Sequence, residues 1–201
     1  MSRRKVEVRR EEILRATVDE VIERGFASTR VADVAARLGI STGLVFYHFD
    51  SKEALLSQAF GYAAERDLER LDALAQGRGS AARRLGRILA LYGPDESGAA
   101  WPLWIDAWAT SLRSPEMAEV SRRLDLRWKD TVAEIVRQGV ASGEMTCADP
   151  AAAAWRLTAM LDGLAVQVTV HEGVVSRRQV TSWIRTATAV ELGIDPAALR
   201  R

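Results

Sequence analysis

The chain has 201 residues, 48% of them apolar and 27% charged, with 28 basic side chains against 27 acidic ones and a net charge of +1. That size suits one globular domain or two small ones, and the charge balance excludes a global basic field of the kind that advertises nucleic acid. A single cysteine, Cys147, excludes an intrachain disulfide; with no apolar run of membrane-spanning length and no secretory core behind the basic start, a cytoplasmic, non-membrane protein is expected.

The first ten residues set Arg3, Arg4, Lys5, Arg9 and Arg10 against Glu7 alone. Such a basic arm tracks phosphates, or else serves as a solubilising tail. From about Val8 to Arg24, Ile13, Leu14, Thr17, Val18, Val21 and Ile22 form a stripe at helical spacing, and Gly25 stops it. A second helix is expected from about Thr29 to Leu38 and a third from Thr42 to His48. Gly39 breaks the pattern between them, Ile40 anchors the turn and Ser41 caps the third helix. Val34, Ala35, Leu38, Ile40 and Val45 give both short helices an apolar face, and Ala35 is small enough for close packing. This is the geometry of a helix-turn-helix, whose second helix enters the DNA major groove.

Asp50-Ser51-Lys52-Glu53 reads as a capping box, with Asp50 accepting from the Glu53 amide. The helix it opens runs past Leu55, Leu56, Phe60, Leu68 and Leu71 towards Ala75, long enough to connect a head to the remainder. Gln76–Ser80 is a break, and Ser80 caps a helix over Ala81–Tyr92. Gly93-Pro94-Asp95-Glu96-Ser97-Gly98 is a loop. Trp101 to Leu112 is helical by spacing. Ser114-Pro115-Glu116 starts a helix that lasts to about Ser142, where Gly143 ends it. Asp149-Pro150 opens a helix to about Val170, and the box Ser176–Gln179 opens the last, closed by Gly193. The β-branched run Val166–Val170 is the one local hazard to an all-helical reading. Nine helices result.

The run from Ile13 to Leu56 resembles the DNA-binding domain of the TetR family of transcriptional repressors. The resembling parts are Gly25-Phe26, Thr29-Arg30-Val31, Val34-Ala35, Leu38-Gly39-Ile40-Ser41, Gly43, Tyr47-His48-Phe49 and Ser51-Lys52-Glu53. Phe46 departs from the family's usual Tyr, which leaves more of the phosphate grip to Tyr47. Residues 101–145, from Trp101-Pro102-Leu103-Trp104 through Arg122-Arg123 and Arg127-Trp128 to Gly143-Glu144, resemble the C-terminal domain of the choline-responsive BetI-like branch. The resemblance implies an all-α, nine-helix, two-domain architecture: an N-terminal arm and helix-turn-helix head over 1–50, and a helical effector-binding and dimerisation domain over 51–201.

In such a head, early residues of the third helix meet base edges and their flanks hold phosphates. The candidates are Thr29, Arg30, Ser41, Thr42, Gly43, Leu44, Tyr47, His48 and Lys52. Thr42 offers a hydroxyl and a methyl, Gly43 allows close backbone approach, and Leu44 suits a thymine methyl. Lys52 suits a phosphate as a point charge. Tyr47 as half-buried packing, His48 as a structural histidine and Lys52 as a solvated side chain are the competing readings. Val45, Phe46 and Phe49 are expected in the core.

All six tryptophans lie beyond residue 100. Trp101, Trp104 and Trp108 share one helix face, and with Trp128, Trp155 and Asp162 they form a candidate ligand site. Aromatic faces attract a cation, and Asp162, inside the apolar run Leu157–Val168, supplies a counter-ion. Plain core packing and a helix–helix hydrogen bond are the alternatives. A small organic cation such as choline or a polyamine competes with hydrophobic and drug-like ligands. Ala154, Leu157, Leu161, Leu164 and Val168, then Val180, Ile184, Ala187 and Val190, suit a four-helix homodimer seam, or intramolecular packing. His48 and His171 stand far apart, and no metal-ligand spacing, phosphate loop or nucleophile motif accompanies them, so no catalytic residue, metal or cofactor is expected. The expected function is a ligand-responsive repressor with a DNA operator, a small-molecule effector and a second copy of itself as partners.

Overall fold

The computed structural model describes residues 3–93, 100–171 and 173–200. Among them are nine α-helices and no strand: α1 (Arg3–Arg24), α2 (Val31–Leu38), α3 (Thr42–His48), α4 (Lys52–Ala75), α5 (Ala81–Tyr92), α6 (Ala100–Ser111), α7 (Pro115–Ala141), α8 (Pro150–Val170) and α9 (Arg177–Leu192), followed by a 3-10 turn (Pro196–Leu199). The all-α expectation holds. Within the described residues no helix is long and apolar enough to cross a membrane. Of the loop expected at Gly93–Gly98, Pro94 to Gly98 lie outside the described residues.

Most helix ends fall where local chemistry places them. Ser41, Ser80, Asp149 and Ser176 accept the amides of Leu44, Arg83, Ala152 and Gln179, satisfying orphan donors of the first turn. Gly39, at φ 62°, closes α2 in the left-handed conformation, and the Ile40 amide then reaches the Ala35 carbonyl. The Val166–Val170 run stays helical as the last turn of α8, so its β-branched residues do not end the helix early.

Three boundaries differ from expectation. The helix begins at Arg3, so the basic run is not an arm separate from α1; the side chains of Arg3, Arg4 and Lys5 lie outside the described residues. Helix α2 starts at Val31, because Thr29 folds back on the preceding turn instead of capping. The cap of α4 is Ser51, not Asp50: its hydroxyl accepts the Ala54 amide at 2.9 Å.

By contact density the chain forms two compact units: Met1–Asp67 with Pro102–Leu124, and Leu68–Trp101 with Asp125–Arg201. In the first, Ile13, Leu14, Val34, Ala35, Val45, Phe49 and Leu55 make one buried cluster that fixes α2 and α3 against α1 and α4. Each of these side chains other than Ala35 contributes roughly 1.5–3 kcal/mol of transfer free energy. The Glu20 carboxylate, 4% exposed, takes Arg37 of α2 at 2.7 Å and Arg24 at 2.9 Å. A buried acid is tolerable here because two guanidinium groups meet it. In the second unit α8 packs along α9, and the 3-10 turn lies on α5. Gly86 permits that approach, since a Cβ there would overlap the Leu199 carbonyl.

Candidate functional site

The turn between α2 and α3 and the helix after it carry most of the exposed candidate residues. Arg30, Ser41, Thr42 and Gly43 are exposed, Leu44 is half-buried, and Tyr47 is 71% exposed. The Ser41 hydroxyl is engaged as a cap, accepting the Leu44 amide at 3.2 Å. Lys52 is half-buried at the first position of α4, beside the amide donors of its opening turn. These groups have the geometry of a nucleic-acid interface, with small side chains at the start of α3 and a phenol and an ammonium flanking it.

Two side chains depart from the expected roles. Thr29 is 1% exposed and donates its hydroxyl to the Gly25 carbonyl at 2.8 Å, so it is a structural pin and has no hydroxyl proton for a phosphate. Phe46, expected in the core, is 49% exposed, whereas Val45 and Phe49 are buried. His48 is intermediate. Its Nε2 is sealed from solvent with no partner among the described residues, so only Nδ1 is left to serve a phosphate. Burial, then the guanidinium groups of Arg10 and Arg9, hold its imidazole below the usual histidine range and favour the neutral ring. Arg10 itself lies over the Phe49 ring, 5.1 Å from its centroid, and donates to Gln58.

The tryptophan stripe of α6 does not form one constellation. Trp104 meets Phe60 edge-on at 4.9 Å and Trp108 at 5.9 Å, and Phe60 meets Phe26 at 6.2 Å, all within the unit that holds the head. Asp106 of the same helix accepts the Phe26 amide at 2.7 Å. Helix α6 is thus pinned to the turn that leads into α2.

Trp101 belongs to the other unit. Its indole donates to the Tyr92 carbonyl at 3.1 Å and its ring meets the Tyr92 ring at 5.1 Å. Trp128 stacks on Tyr92, centroids 4.1 Å apart. The Tyr92 hydroxyl donates to Asp162 Oδ1 at 2.7 Å. Burial pushes the Asp162 carboxyl above its ordinary value, against the pull of that hydrogen bond and of Lys129. Burial, followed by the Asp162 charge, pushes the Tyr92 phenol well up. Lys129, 5% exposed, pairs with Asp125 and places its ammonium 4.5 Å from the Trp155 centroid. Trp155 is itself 51% exposed. Of the six expected ligand residues, Trp101, Trp128 and Asp162 therefore converge through Tyr92. Trp155 joins by way of Lys129 and Asp125. Tyr92, Lys129 and the Asp106–Phe26 contact belong to the candidate sites and were not foreseen from the sequence.

The residues expected to form a homodimer seam divide into two sets. Ala154, Leu157, Leu161, Val180 and Ile184 are buried inside the protomer, which makes them intramolecular packing. The exposed apolar groups on the same helices are Trp155, Val170, Trp183 and Val190.

Comparison with known proteins fits this arrangement. The model of the BetI-type transcriptional repressor C-terminal domain matches residues 81–193, and that of the tetR family of bacterial regulatory proteins matches residues 13–59. The regulator BetI of Escherichia coli (strain SMS-3-5 / SECEC) is 31% identical over 166 residues, spanning 78% of this chain and 80% of that protein. BetI of Stenotrophomonas maltophilia is 32% identical over 123 residues, 60% of this chain and 63% of its own length. A transcriptional regulator from Saccharomonospora viridis, solved in complex with choline, superposes with a TM-score of 0.83 at 26% identity, covering 92% of this chain and 98% of that one. A turn built to read DNA, a helical C-terminal unit and these matches lead to one conclusion: the chain belongs to the TetR family of transcriptional regulators, with a C-terminal domain of the BetI repressor type.

Proposed function

We propose that the chain is a dimeric repressor that leaves a pseudopalindromic operator when a small organic monocation binds its C-terminal domain. In the DNA-bound form two α3 helices address half-sites about one helical turn, ~34–36 Å, apart. Thr42, Gly43 and Leu44 read base edges, while Arg30, Tyr47, His48 and Lys52 hold phosphates. Trp183 and Val190 of α9, with Trp155 and Val170 of α8, make the exposed apolar face for the second copy.

The observation that carries the ligand class is the Asp162 carboxylate held by Tyr92, whose ring meets two indoles. Asp125 and Asp162 together carry two negative charges against one from Lys129, so the group retains one uncompensated negative charge. That balance favours one positive charge in the ligand and disfavours a polyamine. Choline bound to the Saccharomonospora viridis relative is of this chemical type. The ligand lowers operator affinity only if it binds the DNA-incompetent state better, a population shift.

The test is footprinting on the DNA upstream of the chain's own gene, followed by titration with choline, spermidine, benzoate and a neutral alcohol of similar size. Choline-class cations should quench or shift tryptophan fluorescence and clear the footprint. Release by the neutral or anionic compounds alone would overturn the cation reading, and absence of a footprint on any DNA would overturn the repressor.

A further inference from the structure

A cavity lies in the C-terminal unit, lined by none of the aromatic-site residues. A cleft of about 710 Å³ opens between the end of α5, the first half of α9 and the closing 3-10 turn. That volume falls in the range of sites for drug-sized ligands. Its floor is apolar: Leu89, Leu161, Ile184 and Leu199 are all buried. Its rim carries Arg177, Arg178, Arg185 and Arg200, and no acidic residue lines it. Among the described residues none of these four guanidinium groups has a partner. Several arginines elsewhere on the surface differ: Arg9, Arg122, Arg137 and Arg156 each meet a carboxylate.

Gathering unpaired cations over an apolar surface is unfavourable for the empty protein. Arg177 and Arg178 add to it, since they occupy the first turn of α9, where the helix dipole disfavours positive charge. The position on α9 also matters. Trp183 and Val190 lie five residues beyond Arg178 and Arg185, about 140° around the helix axis at 3.6 residues per turn. The exposed apolar side of α9 and its arginine side are therefore different faces, and a second copy seated on the former leaves the latter open.

We propose that this cleft is a second ligand site, for an amphipathic anion: a carboxylate or phosphate headgroup held by the arginines, with an aliphatic or aromatic body on the leucine floor. Arginine suits either head, because its fork meets two anionic oxygens at once. A nucleic-acid backbone would satisfy the rim but leave the apolar floor unused. The proposal stands apart from the cation site, and either can fail alone.

Isothermal titration of the full chain with decanoate and decyl phosphate tests it, with inorganic phosphate and 1-decanol as head and tail alone. One decanoate or decyl phosphate should bind per chain, at least tenfold more tightly than either fragment. Arg178→Gln/Arg185→Gln should weaken it tenfold or more with unchanged helicity, Arg178→Lys/Arg185→Lys should restore part of the loss, and Leu89→Gln should weaken the long-chain probes but not phosphate. Unchanged affinity in the Arg178→Gln/Arg185→Gln protein would overturn the site. So would inorganic phosphate binding as tightly as decyl phosphate, since the leucine floor would then contribute nothing.

Discussion

Asp106 ties α6 to the DNA-binding head through a single hydrogen bond, and its removal has a calculable cost. The carboxylate accepts the Phe26 amide at 2.7 Å, and Phe26 is 1% exposed. In Asp106→Ala that amide loses its acceptor. A hydrogen bond to a charged group contributes about 1.5–3 kcal/mol, so Asp106→Ala should lose roughly that much. Asp106→Asn keeps an oxygen in place and gives up only the charge, leaving a neutral bond of about 0.5–1.5 kcal/mol and a correspondingly smaller loss. Urea denaturation at constant m-value reads both. The same contact has a functional reading, because Phe26 leads into α2 and the turn that carries α3. Both variants should also blunt choline-driven release relative to operator affinity, Ala more than Asn. Equal stability of the Ala variant and the parent, within about 0.5 kcal/mol, would refute the pinning. Equal release in all three proteins would leave the bond structural and refute its part in signalling.

The same geometry fixes three further outcomes. Burial raises the Asp162 carboxyl, and a bound cation favours its ionised form; affinity for choline should be full above that raised value and fall as pH drops through it, by up to tenfold per unit, with the slope abolished in Asp162→Asn. Lys52→Ala should weaken operator and non-operator DNA alike and reduce the dependence of log affinity on log salt by about one unit, read by gel shift across a salt series. Thr29→Val removes a buried hydroxyl that donates to Gly25, so stability should fall by about 1 kcal/mol in the same urea assay while the salt slope stays put, which separates it from Lys52.

What the sequence made legible was what is decided within four residues. Ser80, Asp149 and the Ser176–Gln179 box each satisfy amides of their own first turn, and Gly39 and Gly193 close helices by their own φ angles. Even here adjacent cap formers compete: Asp50 and Ser51 are both able to accept amides, and it is Ser51 that takes the Ala54 amide. Contacts across long stretches leave no such trace. Tyr92 and Asp162 are 70 positions apart, Phe26 and Asp106 are 80 apart, and neither pairing has a periodicity to betray it. The tryptophan stripe misled for a related reason. Spacing puts Trp101, Trp104 and Trp108 on one face, but α6 runs from one compact unit into the other, so a single face has two environments. Phe46 shows the limit of a short helix: α3 has seven residues, too few turns to define which aromatic side chain turns inward.

Helices α8 and α9 carry the same lesson into assembly. Their apolar residues look like one set in sequence, yet they occupy two faces. Leu157, Leu161, Val180 and Ile184 are no more than 3% exposed, already consumed by packing within the protomer. Burial of such side chains is satisfied once, and a residue with no free surface cannot also hold a partner. In the proposed dimer the association energy comes from the side chains left uncovered on these helices: Val190 at 79%, Val170 at 54%, Trp155 at 51% and Trp183 at 45% exposed. Two tryptophans in that set matter more than the aliphatics, because large aromatic anchors dominate interface energetics. Trp183→Ala should therefore dissociate the dimer at concentrations where Leu157→Ala, a cavity mutation inside the protomer, unfolds the chain instead; sedimentation velocity and circular dichroism tell the two apart. Dissociation by both, or by neither, would mean that the partner seats on some other face.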